Sequence, residues 1–353
     1  MADLLTLPNV LAAAILVSLQ AYVLFGGADF GAGMWDLLAR GPRREFQRTL
    51  IAKAIGPIWE ANHVWFVLAV VVLFSCFPPA FAMLTTELHV PLSLMLVGIV
   101  LRGTAFVFRS ADERRDAVQR RWGLVFSLSS VFTPLLLGIC AGAIASGAVA
   151  RAAQMTGASF TGRFIVPWTS PFILGVGAFT LALFAFLAAV YLTVEAEGHE
   201  PLQEDFRRRA LGAAVAVFAC AAATLVLSRR YDPGMTHTLV NSPWAVPLQL
   251  LTGIAAVGAI LALVTRRFRV ARLAAGAQVS LIVWGWALDI FPSIIPGALT
   301  IMEAASPAGT LRATLIVLAV GAVILLPSLA YLFRIFKSRP SAFERLEDLS
   351  ADV

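Results

Sequence analysis

The amino-acid sequence predicts an all-α integral membrane protein with nine transmembrane helices. Hydrophobic residues make up 59% of the 353 residues and charged residues only 14%, and the mean hydropathy is +0.83. A soluble domain could not present so apolar a surface to water. In addition, nine apolar runs are each long enough to cross the roughly 30 Å of hydrocarbon in a bilayer, at about 1.5 Å per helical residue.

The nine runs follow one another with short loops between them, so consecutive helices must pack as antiparallel neighbours. The first run, from Leu4, has no basic region before it and no small-residue cleavage site, so we interpret it as a retained span and not a signal peptide. Residues 1–353 are therefore expected to form one integral-membrane domain. The predicted spans are approximately 7–39, 50–77, 79–108, 122–147, 169–195, 206–227, 243–264, 271–291 and 311–336.

A weak internal similarity divides these helices into sets. The segment YVLFGGAD, which ends the first span, resembles YLTVEAE, which ends the fifth, and both precede Arg-rich loops. Both spans run in the same direction, so a repeat would be parallel. We expect two loosely similar four-helix sets, at about 7–147 and about 169–291, and a ninth helix at about 311–336, although short apolar matches also arise by chance.

The distribution of Lys and Arg predicts the orientation. Of the 27 basic residues, 21 lie in the first, third, fifth and seventh loops and the C-terminal tail, whereas five lie on the opposite side and Arg102 lies within a span. The positive-inside rule places the C-terminus in the cytoplasm and the N-terminus in the periplasm. The same pattern explains the net charge of +6 by topology and contact with membrane lipid, without a nucleic-acid partner.

One segment places polar groups inside an apolar run. In GPIWEANHVW, Glu60, Asn62 and His63 lie between Trp59 and Trp65. Ionisable groups inside a membrane helix cost several kcal/mol unless they face protein or water, so they mark candidate functional sites. His63 follows Glu60 at i+3, and the two side chains can share a face of the helix.

Two further charged residues, Asp29 and Arg102, are expected near this segment. Glu60 and Arg102 each lie seven residues from a basic residue at the predicted cytoplasmic boundary, a depth of about 10 Å. Asp29 would lie about 16 Å deep if the segment GGADFGAG is helical, and its glycines permit either a kink or a close backbone approach. Arg102 could simply neutralise a carboxylate and pin the helices together. Alternatively, two carboxylates beside one cation could share a proton and relay it.

Histidine and cysteine give no sign of a metal or haem site. His63 and His89 are predicted at poorly matched depths for ligands of one haem, so hydrogen-bonded core histidines are the preferred interpretation. The cysteines lie far apart in apolar runs without metal-ligand spacing, and we interpret them as small core residues. They are Cys76, Cys140 and Cys220.

These segments together resemble a known family. GPIWEANHVW followed by LFSCFPPAFA and LRGTAFVFR is similar to subunit II of the cytochrome bd-type quinol oxidases, including their cyanide-insensitive relatives. GGADFGAGM resembles the acidic Gly-rich segment of that family. FPSIIPGALTIMEAASP and LPSLAYLFRIFK resemble its closing loop and ninth helix. The resemblance thus extends from the first span to the last.

The resemblance implies the non-haem subunit of a membrane-bound quinol:oxygen oxidoreductase, a terminal oxidase of aerobic respiration in the bacterial cytoplasmic (inner) membrane. The partner, subunit I, would carry two b-type haems, a d-type haem or its substitute, and the quinol site. This chain would bind none of these haems and no metal itself. A structural quinone against this chain and a small accessory subunit are both left open.

The resemblance also suggests roles for individual residues. Glu60 is the acidic residue of the W-acid-x-N motif, which in the family belongs to a cytoplasmic proton path, and Asp29 is that of the Gly-rich segment. His63 could pass a proton onward or hold a hydrogen bond. Glu60 stands where many relatives have Asp, and His63 where an uncharged or acidic residue is common, so the route itself stays open. Supporting residues would be Arg102, Trp59, Asn62 and Trp65.

Two other functions remain open from the residues alone. One is a proton-coupled secondary transporter with Asp29, Glu60 and Arg102 in its substrate site; transporters often contain inverted repeats, whereas the similarity here is parallel. The other is a purely structural helix bundle that moves no protons. In the oxidase complex, the first to fourth spans are the side expected to face subunit I, because they combine small residues with shared polar groups.

Overall fold

The computed structural model describes residues 5–56, 59–111, 116–231, 234, 237–238 and 241–337. Within these ranges, nine helices are long and apolar enough to cross a membrane, which confirms the predicted fold class. The spanning helices are α1 (Leu7–Leu37), α3 (Trp59–Cys76), α5 (His89–Ala111), α6 (Asp116–Ala145), α9 (Pro171–Glu195), α10 (Glu200–Tyr231), α11 (Ala245–Val264), α12 (Phe268–Ile290) and α13 (Ala308–Lys337). The shorter elements are α2 (Arg44–Ile55), α4 (Pro78–Glu87), α7 (Ala148–Ala153), α8 (Phe160–Phe164), a 3-10 turn (Val166–Trp168) and an antiparallel pair, β1 (Ser293–Ile295) and β2 (Leu299–Thr300).

The predicted second span was too long. Residues 50–77 contain the end of α2 and all of α3, and these two helices are separate. Pro57 and Ile58, between them, lie outside the described residues. Gly56 closes α2, with its N–H bonded to the Ala52 carbonyl at 3.0 Å, and the following Pro57 lacks the N–H group that a continuous helix requires. The spanning helix therefore begins only at Trp59.

The predicted third span is likewise divided. Helix α4 ends at Glu87, and α5 begins at His89. Pro91 has no N–H to donate to the carbonyl of Glu87, so a continuous helix would lose a hydrogen bond there. In the first turn of α5 the same proline costs nothing, because those N–H groups have no partner within the helix.

Helix α1 holds the bundle together, because it packs against α3 and α6 on one side and against α9 and α12 on the other. Its glycines allow close contact with α9. A Cβ atom on Gly31 would lie 2.0 Å from the carbonyl oxygen of Phe184, and one on Gly27 would lie 2.9 Å from the Phe184 ring. The indole Nε1 of Trp35 donates to the carbonyl of Ala185 at 2.8 Å. Small residues four apart are a common means of packing membrane helices closely.

Two of the three cysteines lie in the core, as predicted. Cys76 and Cys140 are buried in a cluster with Phe77, Ile139 and Phe172, whereas Cys220 is only half-buried. Cys76 also anchors the last helix, since its carbonyl accepts a 2.8 Å hydrogen bond from the N–H of Ser306 just before α13.

Helix α13 is attached to the bundle mainly at its beginning. Leu311 is only 3% exposed and belongs to the core. Further along, one stripe of the helix stays half-buried, at positions 314, 315, 318, 322, 325, 329 and 332. The other faces carry largely exposed side chains: Ile316, Val317, Val320, Val323, Ile324, Leu326 and Tyr331. This surface is left for lipid or for another protein.

Candidate functional site

A buried ion pair joins Asp29 of α1 to Arg102 of α5. Arg102 donates from Nη2 to Asp29 Oδ1 at 2.7 Å and from Nη1 to Oδ2 at 3.0 Å, and Nη2 also reaches the Asp29 carbonyl at 3.3 Å. Asp29 is 4% exposed and Arg102 is 1% exposed. Such a fork-to-fork geometry is what a buried pair needs if mutual attraction is to offset the loss of hydration.

The rest of the guanidinium is also enclosed. Its Nε donates to the hydroxyl of Ser130 at 3.0 Å, and that hydroxyl donates to the Phe126 carbonyl at 2.7 Å. The rings of Phe30 and Phe126 each lie 4.8 Å from the guanidinium carbon, so the cation is sandwiched between two aromatic faces. All three nitrogens and both faces of Arg102 are therefore occupied by this chain.

The Gly-rich segment serves close approach and not a kink, since α1 is helical throughout it. A Cβ atom on Gly33 would lie 2.1 Å from the Ser130 hydroxyl oxygen. Gly33 therefore brings α1 and α6 near enough for Ser130 to reach Arg102.

A second buried acid, Asp36, was not identified in the sequence. It is 4% exposed, and it accepts hydrogen bonds from Arg48 Nε of α2 at 3.2 Å and from the Ser127 hydroxyl of α6 at 3.1 Å. Asp36 follows Asp29 by seven residues, so the two lie on one face of α1, about 10 Å apart along its axis. This seven-residue spacing was the signal in the sequence that could have identified Asp36 as a second acid on the same face of α1. The partner Arg48 could not be foreseen, because residues 44–49 of α2 were assigned to a loop.

Glu60 lies apart from these pairs. It is the second residue of α3, so it is closer to the end of its helix than the predicted depth of about 10 Å, which assumed a longer helix. Its side chain is exposed, and it forms no hydrogen bond or ion pair with the described residues. Asp29, and not Glu60, takes the guanidinium of Arg102.

The face of α3 that carries Glu60 is otherwise apolar and unoccupied. Residues 64, 67, 71 and 74 continue the helical spacing from Glu60, and their side chains point out of the bundle. They are Val64 (42% exposed), Val67 (57%), Val71 (51%) and Phe74 (59%). A carboxyl group therefore begins an apolar stripe that no other part of the described chain covers.

His63 faces α1, away from this stripe. Its ring centroid lies 5.9 Å from that of Tyr22, 6.2 Å from that of Phe30 and 6.4 Å from that of Trp59. Its ring forms no hydrogen bond with a described residue. The sequence brings Glu60 and His63 within one helical turn, as predicted, but their side chains face different surroundings.

The remaining predicted residues of this segment pack around His63. Asn62 is 1% exposed, and its amide nitrogen lies 3.5 Å from the Phe25 carbonyl oxygen, at the limit of a hydrogen bond. Trp59 contacts the ring of Phe106. Trp65 packs against the cluster of Tyr22, Phe30 and Phe184. These side chains fix the direction of α3 against α1 and α5.

His63 and His89 lie at opposite ends of the bundle. His63 is near the beginning of α3 and His89 is at the beginning of α5, and these two helices run in opposite directions, so the rings cannot ligate one haem. His89 Nδ1 donates to the Thr86 carbonyl at 2.8 Å. Within the described ranges, no three His, Cys, Asp or Glu side chains are grouped to hold a metal ion.

Beside the ion pair lies a cavity of about 250 Å³. It is bounded by α1, α2, α9 and α12. Its wall is mainly apolar, but Asp29, Tyr191, Glu195 and Arg272 also line it. A cavity with several polar groups is large enough for ordered water.

Comparison with known proteins agrees with this architecture. The family model described as cytochrome bd terminal oxidase subunit II matches residues 7–336. A cytochrome bd ubiquinol oxidase subunit 2 from Bacillus subtilis is 29% identical over 35% of this chain and 36% of its own length. The cytochrome bd-I ubiquinol oxidase subunit 2 of Escherichia coli is 26% identical over 58% of this chain and 52% of its own length.

The matched segments thus span about a third to a half of these two curated relatives. A solved structure of the bd oxidase from Geobacillus thermodenitrificans superposes with a TM-score of 0.78. The match covers 95% of this chain and 100% of the matched chain at 22% identity, and it shows a common fold. Because the family model extends over all nine spanning helices, the chain belongs to the cytochrome bd terminal oxidase subunit II family.

Proposed function

We propose that this chain is the non-haem subunit of a membrane-bound quinol:oxygen oxidoreductase and that it takes up protons from the cytoplasm for the reduction of dioxygen to water. Membership of the subunit II family supports this proposal, and the matched relatives are named as ubiquinol oxidase subunits. The proposal includes a haem-bearing subunit I as partner, where quinol and dioxygen react. It also includes a periplasmic N-terminus and a cytoplasmic C-terminus in the bacterial inner membrane.

The position of Glu60 is the observation that carries the proposal. Glu60 lies at the end of α3, where water can reach it, yet it begins an exposed stripe that is otherwise apolar, and contact of its carboxyl group with lipid along this stripe is unfavourable. A partner protein that covers this stripe removes the unfavourable contact between the carboxyl group and lipid, because it can supply polar groups or water to the carboxyl group. We therefore place subunit I against this face of α3, with Glu60 at the interface.

Glu60 has the properties that proton uptake requires. It lies in the first turn of α3, at the end that the Lys and Arg distribution assigns to the cytoplasm. Glu60 forms no ion pair with the described residues, and Arg102 is fully engaged by Asp29 and Ser130. A carboxyl group without a fixed ion pair can gain and lose a proton during turnover. Reduction of one dioxygen consumes four protons, and their uptake from the cytoplasm contributes to the membrane gradient.

Asp29 and His63 complete the proposed route. Asp29 is ion-paired, but it also lines the polar-edged cavity beside α9 and α12, through which water could reach it. His63 is the next titratable side chain on α3 after Glu60. Its aromatic surroundings also support a purely structural role, in which it packs α3 against α1.

The transporter alternative is not favoured by this geometry. A substrate site at Asp29 and Arg102 would need free hydrogen-bonding groups. The nitrogens of Arg102 are instead bound by Asp29 and Ser130, and its two faces are covered by phenylalanine rings.

Substitution of Glu60 by Gln tests the proposal, because Gln has nearly the same shape but cannot release a proton. We expect Glu60→Gln to assemble with subunit I into a complex with unchanged haem absorption. Its quinol-driven oxygen consumption should fall at least tenfold, equivalent to about 1.4 kcal/mol of activation free energy.

The matched control is Glu45→Gln, which removes the same charge from an exposed side chain of α2. This variant should retain normal oxygen consumption. Full activity of Glu60→Gln in an intact, coloured complex would contradict the proposed proton role. A purified complex without haem absorption would contradict the oxidase function itself.

A further inference from the structure

A second cavity, of about 260 Å³, lies where the connection between α11 and α12 meets the beginning of α10. Arg266, Arg267 and Arg269 line it, together with Glu197 and Gln203. Three cationic side chains and one anionic side chain give this wall a net positive charge. It lies on the side of the membrane that the Lys and Arg distribution assigns to the cytoplasm.

The three arginines are incompletely paired. Arg269 Nη2 lies 3.0 Å from Glu197 Oε2, which is a hydrogen-bonded ion pair. Arg266 Nη2 lies 3.6 Å from Glu204 Oε2, beyond hydrogen-bond distance, and Glu204 is already bound by two arginines of α10. Arg267 forms no ion pair within the part of the chain that the structure describes. Guanidinium donors therefore remain available to an anion at this cavity.

Arg266 is also held in a backbone conformation that favours glycine. It follows the end of α11 with φ of +58°, and the next N–H, that of Arg267, bonds back to the carbonyl of Ala262 at 2.8 Å. This is the usual way to end a helix, and glycine is the usual residue at the left-handed position. An arginine at this position lowers the stability of the helix end relative to glycine, which is consistent with a binding role for its side chain in the cavity.

Exposed aliphatic side chains lie on both helices next to the cavity. On α11 they are Leu261 (57% exposed) and Val264 (54%), and on α12 they are Val270 (52%) and Leu273 (74%). A ligand with its charged group among the arginines would find apolar surface immediately beside it. This combination matches an amphiphile better than a free anion.

We propose that this cavity binds the headgroup of an anionic phospholipid. The phosphate contacts Arg266 and Arg267, and the acyl chains lie along the exposed faces of α11 and α12. The planar guanidinium group suits bidentate phosphate recognition, and basic pockets between membrane helices on the cytoplasmic side commonly hold lipid headgroups. The site belongs to this chain's own residues and does not depend on the proposed proton role of Glu60.

Native mass spectrometry of the purified oxidase complex can test the site, with phosphatidylglycerol and phosphatidylcholine as probes. We expect the complex to retain phosphatidylglycerol in preference to phosphatidylcholine. In Arg267→Gln the apparent affinity for phosphatidylglycerol should fall at least tenfold. Arg44→Gln, which removes an exposed charge on α2, should change it little. Equal retention of both lipids, or an equal loss of affinity in both variants, would show only diffuse surface attraction and would overturn the proposal.

A second variant separates lipid binding from folding. In lipid-depleted detergent, Arg266→Gly should raise the thermal unfolding temperature of the complex, because glycine accepts a positive φ. It should also reduce the further increase that phosphatidylglycerol produces. If this increase were unchanged, Arg266 would have no part in binding. If inorganic phosphate alone stabilised the complex as much as phosphatidylglycerol does, the ligand would be a free anion and the lipid proposal would be wrong.

Discussion

Arg102 is the largest side chain that the bundle buries completely, and its contacts explain how a charge is kept far from water. Asp29 neutralises it, Ser130 binds its remaining nitrogen, and Phe30 and Phe126 cover its faces. These groups come from α1, α5 and α6, so one guanidinium group links three spanning helices. The ion pair is therefore expected to specify how the three helices pack, in addition to neutralising the buried charge.

Removal of one partner should be far more harmful than removal of both. Arg102→Met leaves Asp29 buried without a cation, and we expect a loss of about 3–5 kcal/mol of stability. Asp29→Leu combined with Arg102→Met should recover part of this loss, because no charge remains unpaired. Thermal or denaturant unfolding of the purified complex measures the effect.

Arg44→Met provides the matched control, because Arg44 is exposed and lies 3.9 Å from Glu45. It should cost less than about 1 kcal/mol, as exposed pairs do. An equally small loss in Arg102→Met would mean that water or another group compensates Asp29.

At this scale, the residue types of the site could be predicted from the sequence, but their pairing could not. The position of a charge along a helix follows from residue counts, which placed Asp29, Glu60 and Arg102 at comparable depths. The direction of a side chain around the helix depends on packing with other helices. This is why Arg102 could not be assigned to Asp29 in advance, and why Asp36 with its partner Arg48 was missed.

Among the helices, the contact between α1 and α9 depends most strictly on small residues. Gly31 lies so close to α9 that a methyl group would meet the Phe184 carbonyl oxygen at 2.0 Å and the Ala188 Cβ at 2.7 Å. The backbone of α9 cannot move away without disturbing the helices behind it. The contact between α1 and α9 therefore tolerates little change.

We expect Gly31→Ala to separate α1 from α9 and to cost about 1–3 kcal/mol, the usual range for overpacking. Gly212→Ala is the matched control, since a Cβ atom on Gly212 of α10 meets nothing within 4 Å. That substitution should be neutral or slightly stabilising, because alanine favours helix more than glycine does. Unfolding of the two variants under the same conditions compares them directly. Equal stability would show that α9 can shift to accommodate the methyl group.

The existence of the nine spans followed from the lengths of the apolar runs, whereas their ends did not. Hydropathy continues across the breaks at residues 56–59 and 87–89, so it predicted one helix where there are two. Pro57 and Pro91 were the local signals, and both act through the missing N–H group. The first of these breaks matters for function, because it places Glu60 in the first turn of α3 and not inside the longer helix that the hydropathy predicted.

In the whole molecule, the exposed helices present different surfaces to the membrane. The stripe on α3 combines Glu60 with exposed valines, and α13 stands largely exposed after its first turns. Helix α10 exposes apolar side chains as well, such as Phe218 at 77%. Apolar exposure alone therefore does not distinguish lipid from protein, and the carboxyl group of Glu60 is the feature that marks the α3 face.

This difference predicts where subunit I binds. A photo-reactive amino acid at Val67, in the middle of the α3 stripe and 57% exposed, should cross-link to subunit I in native membranes. The same amino acid at Phe218 should react with lipid and leave subunit I unlinked. Both positions are exposed and apolar, so the comparison tests location and not reactivity. Cross-linking to subunit I from position 218 alone would place the partner against α10. Glu60 would then face lipid, and its role in proton uptake would lose the structural basis on which it rests.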